Sequence, residues 1–151
     1  MNNVDIMVEE IHFPWTEKME AFCYKVLDFL KKDNWDLSIL LCDNPTIQRL
    51  NFEYRQKDEP TDVLSFELGE TSTDEAGTER YIAGDIIISI PMVSENAAYF
   101  HVSEDEELRR LLIHGILHLN GMDHATNEAE EPMLIYQEQI LTSLCEEHII
   151  S

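Results

Sequence analysis

The stretch His114-Gly-Ile-Leu-His118-Leu-Asn-Gly121-Met-Asp-His124 reads HGILHLNGMDH and holds three of the chain's six histidines. His114 and His118 are four residues apart. On a helix that spacing is a rotation of about 400°, so the two rings stand on one face, one above the other. On a continuing helix His124 would lie ~9 Å further along the axis and on another side. It could not then share an ion whose bonds are ~2 Å long. The helix therefore has to end between them. Gly121 supplies the end, because glycine takes the left-handed conformation of a helix C-cap at little cost. The chain can then fold back and bring His124 to the same point.

Three neutral imidazoles favour zinc, although nickel, copper and iron accept them too. Three protein ligands leave a fourth position open, as in catalytic zinc sites; structural sites close with four ligands, often cysteines. No cysteine lies near this stretch. Histidine is 6 of 151 residues, so two more at set offsets arise by chance on the order of once in six hundred per starting histidine. The expectation is one Zn2+ on His114, His118 and His124. His12, His101 and His148 have no such company and are read as ordinary.

Outward from this stretch, the pattern is one of strands mixed with helices, then helices alone. Val4 to Val8 alternates apolar and polar, as a half-buried strand does. Thr16 is placed to cap a helix with Met19, Phe22, Val26, Phe29 and Leu30 on one face. Leu37 to Cys42 reads as a buried strand. Asp43-Asn44-Pro45 opens a helix through Ile47, Leu50 and Tyr54. Asp62 to Leu68 and Gly84 to Ser89 read as two further strands. The polar residues 69–80 between them (GETSTDEAGTER) show no periodicity and read as a mobile loop. Pro91 starts a short helix ending near His101. Glu104 to Asn120 is a leucine-rich helix with acids in its first turn. Asn127 and Glu130 resemble a capping box that opens a last helix with Met133, Tyr136, Ile140, Leu141 and Leu144 inward. The expected fold is α+β, or mixed α/β. It has one small, mostly four-stranded mixed sheet and about five helices, in a single domain over residues 1–151.

Composition sets limits on partners. The hydrophobic share of 44% supports a real core. The longest apolar run, roughly Ile86 to Val93, is far short of the ~18 residues a membrane span needs. The start, MNNVDIMVEE, lacks the basic and apolar regions of a secretory signal. A cytoplasmic protein without membrane partners is expected. Cys23, Cys42 and Cys145 are odd in number and far apart, and read as reduced, buried thiols. The net charge is −21, with 31 acids against 10 lysines and arginines, and no basic residue follows Arg110. That argues against a broad nucleic-acid footprint, which needs a basic face, and DNA is not an expected partner.

The spacing of the histidines is that of H-E-x-x-H-x-x-G-x-x-H metallopeptidases, whose glutamate is the general base. Here Gly115 takes that position. A bound metal remains a Lewis acid that can polarise a phosphoryl oxygen, and phosphodiester cleavage needs charge neutralisation above all. Arg49, Arg55 and Lys57 supply cations in the stretch from Asn51 to Phe66 or beside it, and arginine pairs bidentately with phosphate.

Taken together, Asn51, Tyr54-Arg55, Pro60 to Phe66 (PTDVLSF), Gly84-Asp85-Ile86 and His114 to His124 resemble the YbeY family over most of the chain, in order. The resemblance implies a single-strand-specific, zinc-dependent endoribonuclease. Its roles would be ribosomal RNA processing, including 16S rRNA 3′-end maturation, and ribosome quality control. It also implies zinc on His114, His118 and His124, Arg55 as the catalytic arginine, and Arg55 with Lys57 binding substrate. Asp123 is read either as orienting a metal ligand or as forming a turn. RNA contact over so acidic a body has to be local, or the acidic surface docks on basic ribosomal proteins of the small subunit. Two other readings compete. One is a zinc-containing assembly factor without catalysis, and the other is a metallopeptidase-like hydrolase.

Overall fold

The computed structural model describes residues 1–9 and 12–150. Its elements run β1 (Asn3–Val8), α1 (Thr16–Phe29), β2 (Trp35–Cys42), α2 (Asn44–Arg55), β3 (Val63–Thr73), β4 (Glu79–Ser89), α3 (Ile90–Phe100), α4 (Glu104–Leu119) and α5 (Pro132–Ser143). The four strands form one sheet in the order β1-β2-β4-β3. The first three run parallel, and β3 lies antiparallel to β4 at the edge. This is the α+β arrangement of mixed sheet and five helices that the pattern implies. No helix among the described residues is long and apolar enough to cross a membrane.

The two-residue period of a strand divides the sheet into two faces. Leu37, Ile39 and Leu41 of β2, with Ile86 and Ile88 of β4, belong to the main core. Their alternates Cys42 and Ile87 face a smaller cluster beneath Ile47 of α2. The main core is covered by α1 and α4. Eleven of the sixteen residues of α4 are buried, so α4 is a central helix enclosed on most sides and not an amphipathic surface helix. Ser103 starts it by accepting a hydrogen bond from the Glu106 backbone at 3.0 Å. Asp105, in its first turn, accepts from the backbone nitrogens of Ile149 at 2.6 Å and Ile150 at 2.8 Å, tying the C-terminal residues to the core. Likewise Asp43 caps α2 through the Thr46 backbone at 3.1 Å, with Pro45 in the first turn.

Four expectations need correction. Residues 69–80 are not a loop: β3 and β4 extend through them as a hairpin closed around Asp74. Beyond Phe66, β3 is exposed on both faces, so no apolar alternation marks it. Thr16 does not cap α1; it is the first helical residue, and Trp15 holds the cap position without a side-chain hydrogen bond. Asn127 and Glu130 form no capping box. The last helix begins at Pro132, and Glu131 instead accepts from the backbone nitrogen and hydroxyl of Thr126. Cys23 and Cys42 are buried as expected, but Cys145 is exposed.

At Gly84, where the pairing of β2 with β4 and of β3 with β4 shifts register, the backbone has φ 142°. A Cβ there would lie 2.0 Å from the Phe66 carbonyl oxygen and 3.0 Å from Leu119. Gly84→Ala is expected to cost at least about 2 kcal/mol of stability, from backbone strain and the displaced strand. Urea unfolding measures it. A loss below about 1 kcal/mol would mean that β3 can retreat freely from β4.

Candidate metal centre

His114 and His118 project from the last two turns of α4, which then ends as the spacing requires. Gly121 has φ 84°. Its N–H reaches the His118 carbonyl at 2.9 Å, and the Met122 N–H reaches that of Leu117 at 3.1 Å. This crossed pair is a Schellman motif, and it turns the chain back. Each of the three imidazoles offers a ring nitrogen within 4.8 Å of the others.

The Nδ1 atoms show which nitrogens those are. His118 Nδ1 faces the Met122 carbonyl at 3.0 Å. His124 Nδ1 faces the Thr126 carbonyl at 2.8 Å. His114 Nδ1 faces Oε1 of Gln137, on α5, at 2.7 Å. Carbonyl oxygens only accept, so each Nδ1 carries the proton and donates it. Each neutral ring then keeps a bare lone pair on Nε2. The Nε2 atoms of His114 and His118 stand 3.0 Å apart. Two lone pairs at that distance repel unless a cation lies between them. Nitrogens held tetrahedrally at ~2.05 Å from one ion would be roughly 3.3 Å apart. The donor set therefore fits a metal ion, with the Nδ1 partners in the orienting role that such sites need.

Burial pushes the proton affinity of His114 and His118 below the usual imidazole value. The neighbouring imidazoles push it further down. Both rings are thus neutral near pH 7, the form that ligates.

The place of the missing glutamate is now explicit. Gly115 is buried against the sheet, and a Cβ there would meet Ile86 at 3.0 Å. A glutamate at this position would be driven into the core, away from the three Nε2 atoms.

Arg55 shares a cleft of about 530 Å³ with the three histidines. It is the last residue of α2, and its Nη2 donates to the Ser65 carbonyl on β3 at 3.2 Å. The segment around it is held from within. Asn51 Nδ2 donates to the Glu59 carbonyl at 2.9 Å. Tyr54 packs edge-on to Phe66 with ring centres 5.2 Å apart. Asp62 accepts from the Val63 N–H at 2.7 Å and from Asn96 Nδ2 at 3.1 Å. Lys57 and Arg49 are exposed, and neither is among the residues lining the cleft. Asp62, Glu67 and Asp123 line it, three carboxylates against the one guanidinium of Arg55. A divalent ion would balance that excess.

Of the two readings of Asp123, the geometry matches the turn. It accepts from the His124 N–H at 2.8 Å, a turn contact, and it stands 4.0 Å from His118 Nδ1. The closer Met122 carbonyl orients that ring. Sequence reasoning missed Gln137, although a polar residue amid the inward stripe of Met133, Ile140 and Leu141 was a usable signal. It also assigned no part to Asp62. The Met122 and Thr126 carbonyls leave no trace in side-chain identity.

The sequence matches the family described as Endoribonuclease YbeY over residues 3–145. Relatives named Endoribonuclease YbeY include one from Treponema denticola, 54% identical over 124 residues, which cover 82% of this chain and 80% of that protein. One from Treponema pallidum is 51% identical over 132 residues, covering 87% and 82%. One from Borreliella afzelii is 44% identical over 142 residues, covering 93% of each. The solution structure of a Thermotoga maritima protein superposes with a TM-score of 0.62 at 26% identity, over 97% of this chain and 91% of that one.

Three outcomes are expected. With their folded proton affinities lowered, His114 and His118 contribute stability that is complete above the unfolded value of 6.5 and is lost as pH falls below it. Metal-free protein should therefore weaken below about pH 6.5, and His114→Gln should flatten that decline in urea titrations. Added zinc should raise the melting midpoint of the wild type and not of His118→Ala. Separately, Gly115→Glu should destabilise by about 3 kcal/mol or more through overpacking and a buried carboxylate. A stable, active Gly115→Glu protein in calorimetry would contradict the packing described.

Proposed function

The chain belongs to the YbeY endoribonuclease family, and from that premise and the site we infer that it is an RNA-cleaving hydrolase of ribosomal RNA processing. It cuts single strands, with 16S rRNA 3′-end maturation and ribosome quality control as its setting. One zinc ion would be held by the Nε2 atoms of His114, His118 and His124. When bound, it would supply a Lewis acid for phosphodiester cleavage.

The chain's own residues do the rest. Arg55 keeps one N–H on the Ser65 carbonyl, which aims the guanidinium, and its remaining donors meet the phosphate oxygens as negative charge grows on them. Gln137, Met122 and Thr126 fix the ring orientations through Nδ1. Lys57 lies on the loop after α2, outside the cleft, and steers the strand as a phosphate contact. Away from this patch the acidic body repels RNA, and basic ribosomal proteins of the small subunit are its docking partners.

The observation that carries this reading is that three histidines, with ring nitrogens within 4.8 Å of one another, and Arg55 line one cleft. A metallopeptidase is disfavoured because Gly115 points into the sheet.

The test is cleavage of labelled single-stranded ribosomal RNA by zinc-loaded protein, beside folded Arg55→Ala and His118→Ala. Arg55→Ala should keep its zinc and lose about 10²–10³ in rate. His118→Ala should lose both zinc and cutting. A fully zinc-loaded wild type that cuts nothing would point instead to a non-catalytic assembly factor.

A further inference from the structure

A second and larger hollow, of about 1480 Å³, adjoins the histidines. Asp62, Val63, His114 and His124 line both hollows, so the two meet at the imidazoles. Their chemistry differs. The smaller hollow carries Arg55. The larger hollow is walled by large apolar side chains left in solvent: Phe100 is 58% exposed, Ile135 44% and Phe29 38%. Its one lining cation is Arg110, whose guanidinium is already shared by Glu106 at 3.1 Å, Glu107 at 3.4 Å and Glu138 at 3.0 Å. Two of those acids, Glu107 and Glu138, line the hollow as well.

Such walls cannot hold a phosphate. The positive charge is spent, and the nearby carboxylates repel a polyanion. They do suit a flat, uncharged group with apolar faces and hydrogen-bonding edges, which is a nucleobase. Phe100 offers the stacking surface, with Tyr99 packed edge-on behind it at 5.0 Å. The side-chain amides of Asn127 and Gln139 line the same walls, and an amide can meet a base edge as donor or acceptor.

We propose that the larger hollow is a base-binding subsite. It takes one unstacked base of the substrate strand beside the cut, stacked on Phe100, while the sugar–phosphate chain follows the Arg55 side. The proposal rests on the endoribonuclease reading. Because the hollow shares His114 and His124 with the cleft, a protein segment lodged there would obstruct the strand being cut.

The experiment is an abasic scan. A labelled single-stranded RNA oligomer and variants lacking one base at successive positions are titrated by anisotropy against wild type, Phe100→Ala, Phe100→Leu and Phe100→Trp. Phe100 is largely exposed, so the variants should fold, and melting curves check that. One position is expected at which the missing base weakens wild-type binding about tenfold. That dependence should persist in Phe100→Trp, shrink in Phe100→Leu and vanish in Phe100→Ala. A flat scan in the wild type, or a dependence untouched by Phe100→Ala, overturns the subsite. So does a dimer that Phe100→Ala dissociates while the scan stays flat, which would assign the hollow to a second copy. Cleavage of the same oligomer by zinc-loaded wild type separates the two claims. Cutting with a flat scan sinks the subsite alone, and a base-dependent scan without cutting sinks the endoribonuclease reading alone.

Discussion

The contact between Gly115 and Ile86 sets the height of α4 above the sheet, and the site is built from that height. With no side chain at 115, the helix lies close against β4; a Cβ would already meet Ile86 at 3.0 Å. Close packing buries most of α4 and leaves His114 and His118 half-buried at the rim of the core. A ligand pair carried on a buried, closely packed helix is held more precisely than one on a loop. The Schellman turn after Leu119 then has one task, to return His124 to the same point. Gly115, which stands where the peptidase motif has its base, is therefore also the residue that seats the helix carrying His114 and His118.

Electrostatics separates the cleft from the rest of the molecule. Arg80, Arg109 and Arg110 are paired with carboxylates of the chain itself. Pairing with Glu138 and Glu106 raises the proton affinity of Arg110 against the opposing effect of burial. Arg55 is different, since its hydrogen bond goes to a carbonyl, which orients the guanidinium without neutralising it. Against a net charge of −21, Arg55 is the guanidinium that the cleft of the three imidazoles presents to an anion. The carboxylates of Asp62, Glu67 and Asp123 line that cleft too. A divalent ion bound there would offset that negative excess.

The segment from Asn51 to Phe66 shows how a motif can be read correctly before its parts have meanings. Asn51 anchors the loop through Glu59, Asp62 starts β3, Tyr54 packs on Phe66, and Ser65 presents its carbonyl to Arg55. Of these, Ser65 holds the guanidinium itself, and the others fix the loop and strand beside it. Arg55 and Lys57 are cations two residues apart; the C-terminus of α2 places Arg55 in the cleft, and Lys57 is not among the residues that line it.

By itself the sequence determined the element order, the α+β class and the three imidazoles. These are carried by local periodicity, caps and the helical repeat, which act between residues a few positions apart. The four-and-six spacing even required the break at Gly121, because a straight helix cannot bring His124 back. Tertiary structure alone decided the remainder. The hairpin through 69–80 is invisible in the pattern because a strand exposed on both faces has no apolar alternation, and its pairing with β4 is what makes it a strand. Gln137 stood out in sequence only as a polar residue in an apolar stripe; its partner, the Met122 and Thr126 carbonyls and the inward face of Gly115 became legible once α5, the return loop and β4 were packed around α4. Only the partner of His114, Gln137 on α5, is far away in sequence; Met122 and Thr126 lie within four residues of the histidines they hold, and the turn after α4, not side-chain identity, places their carbonyls.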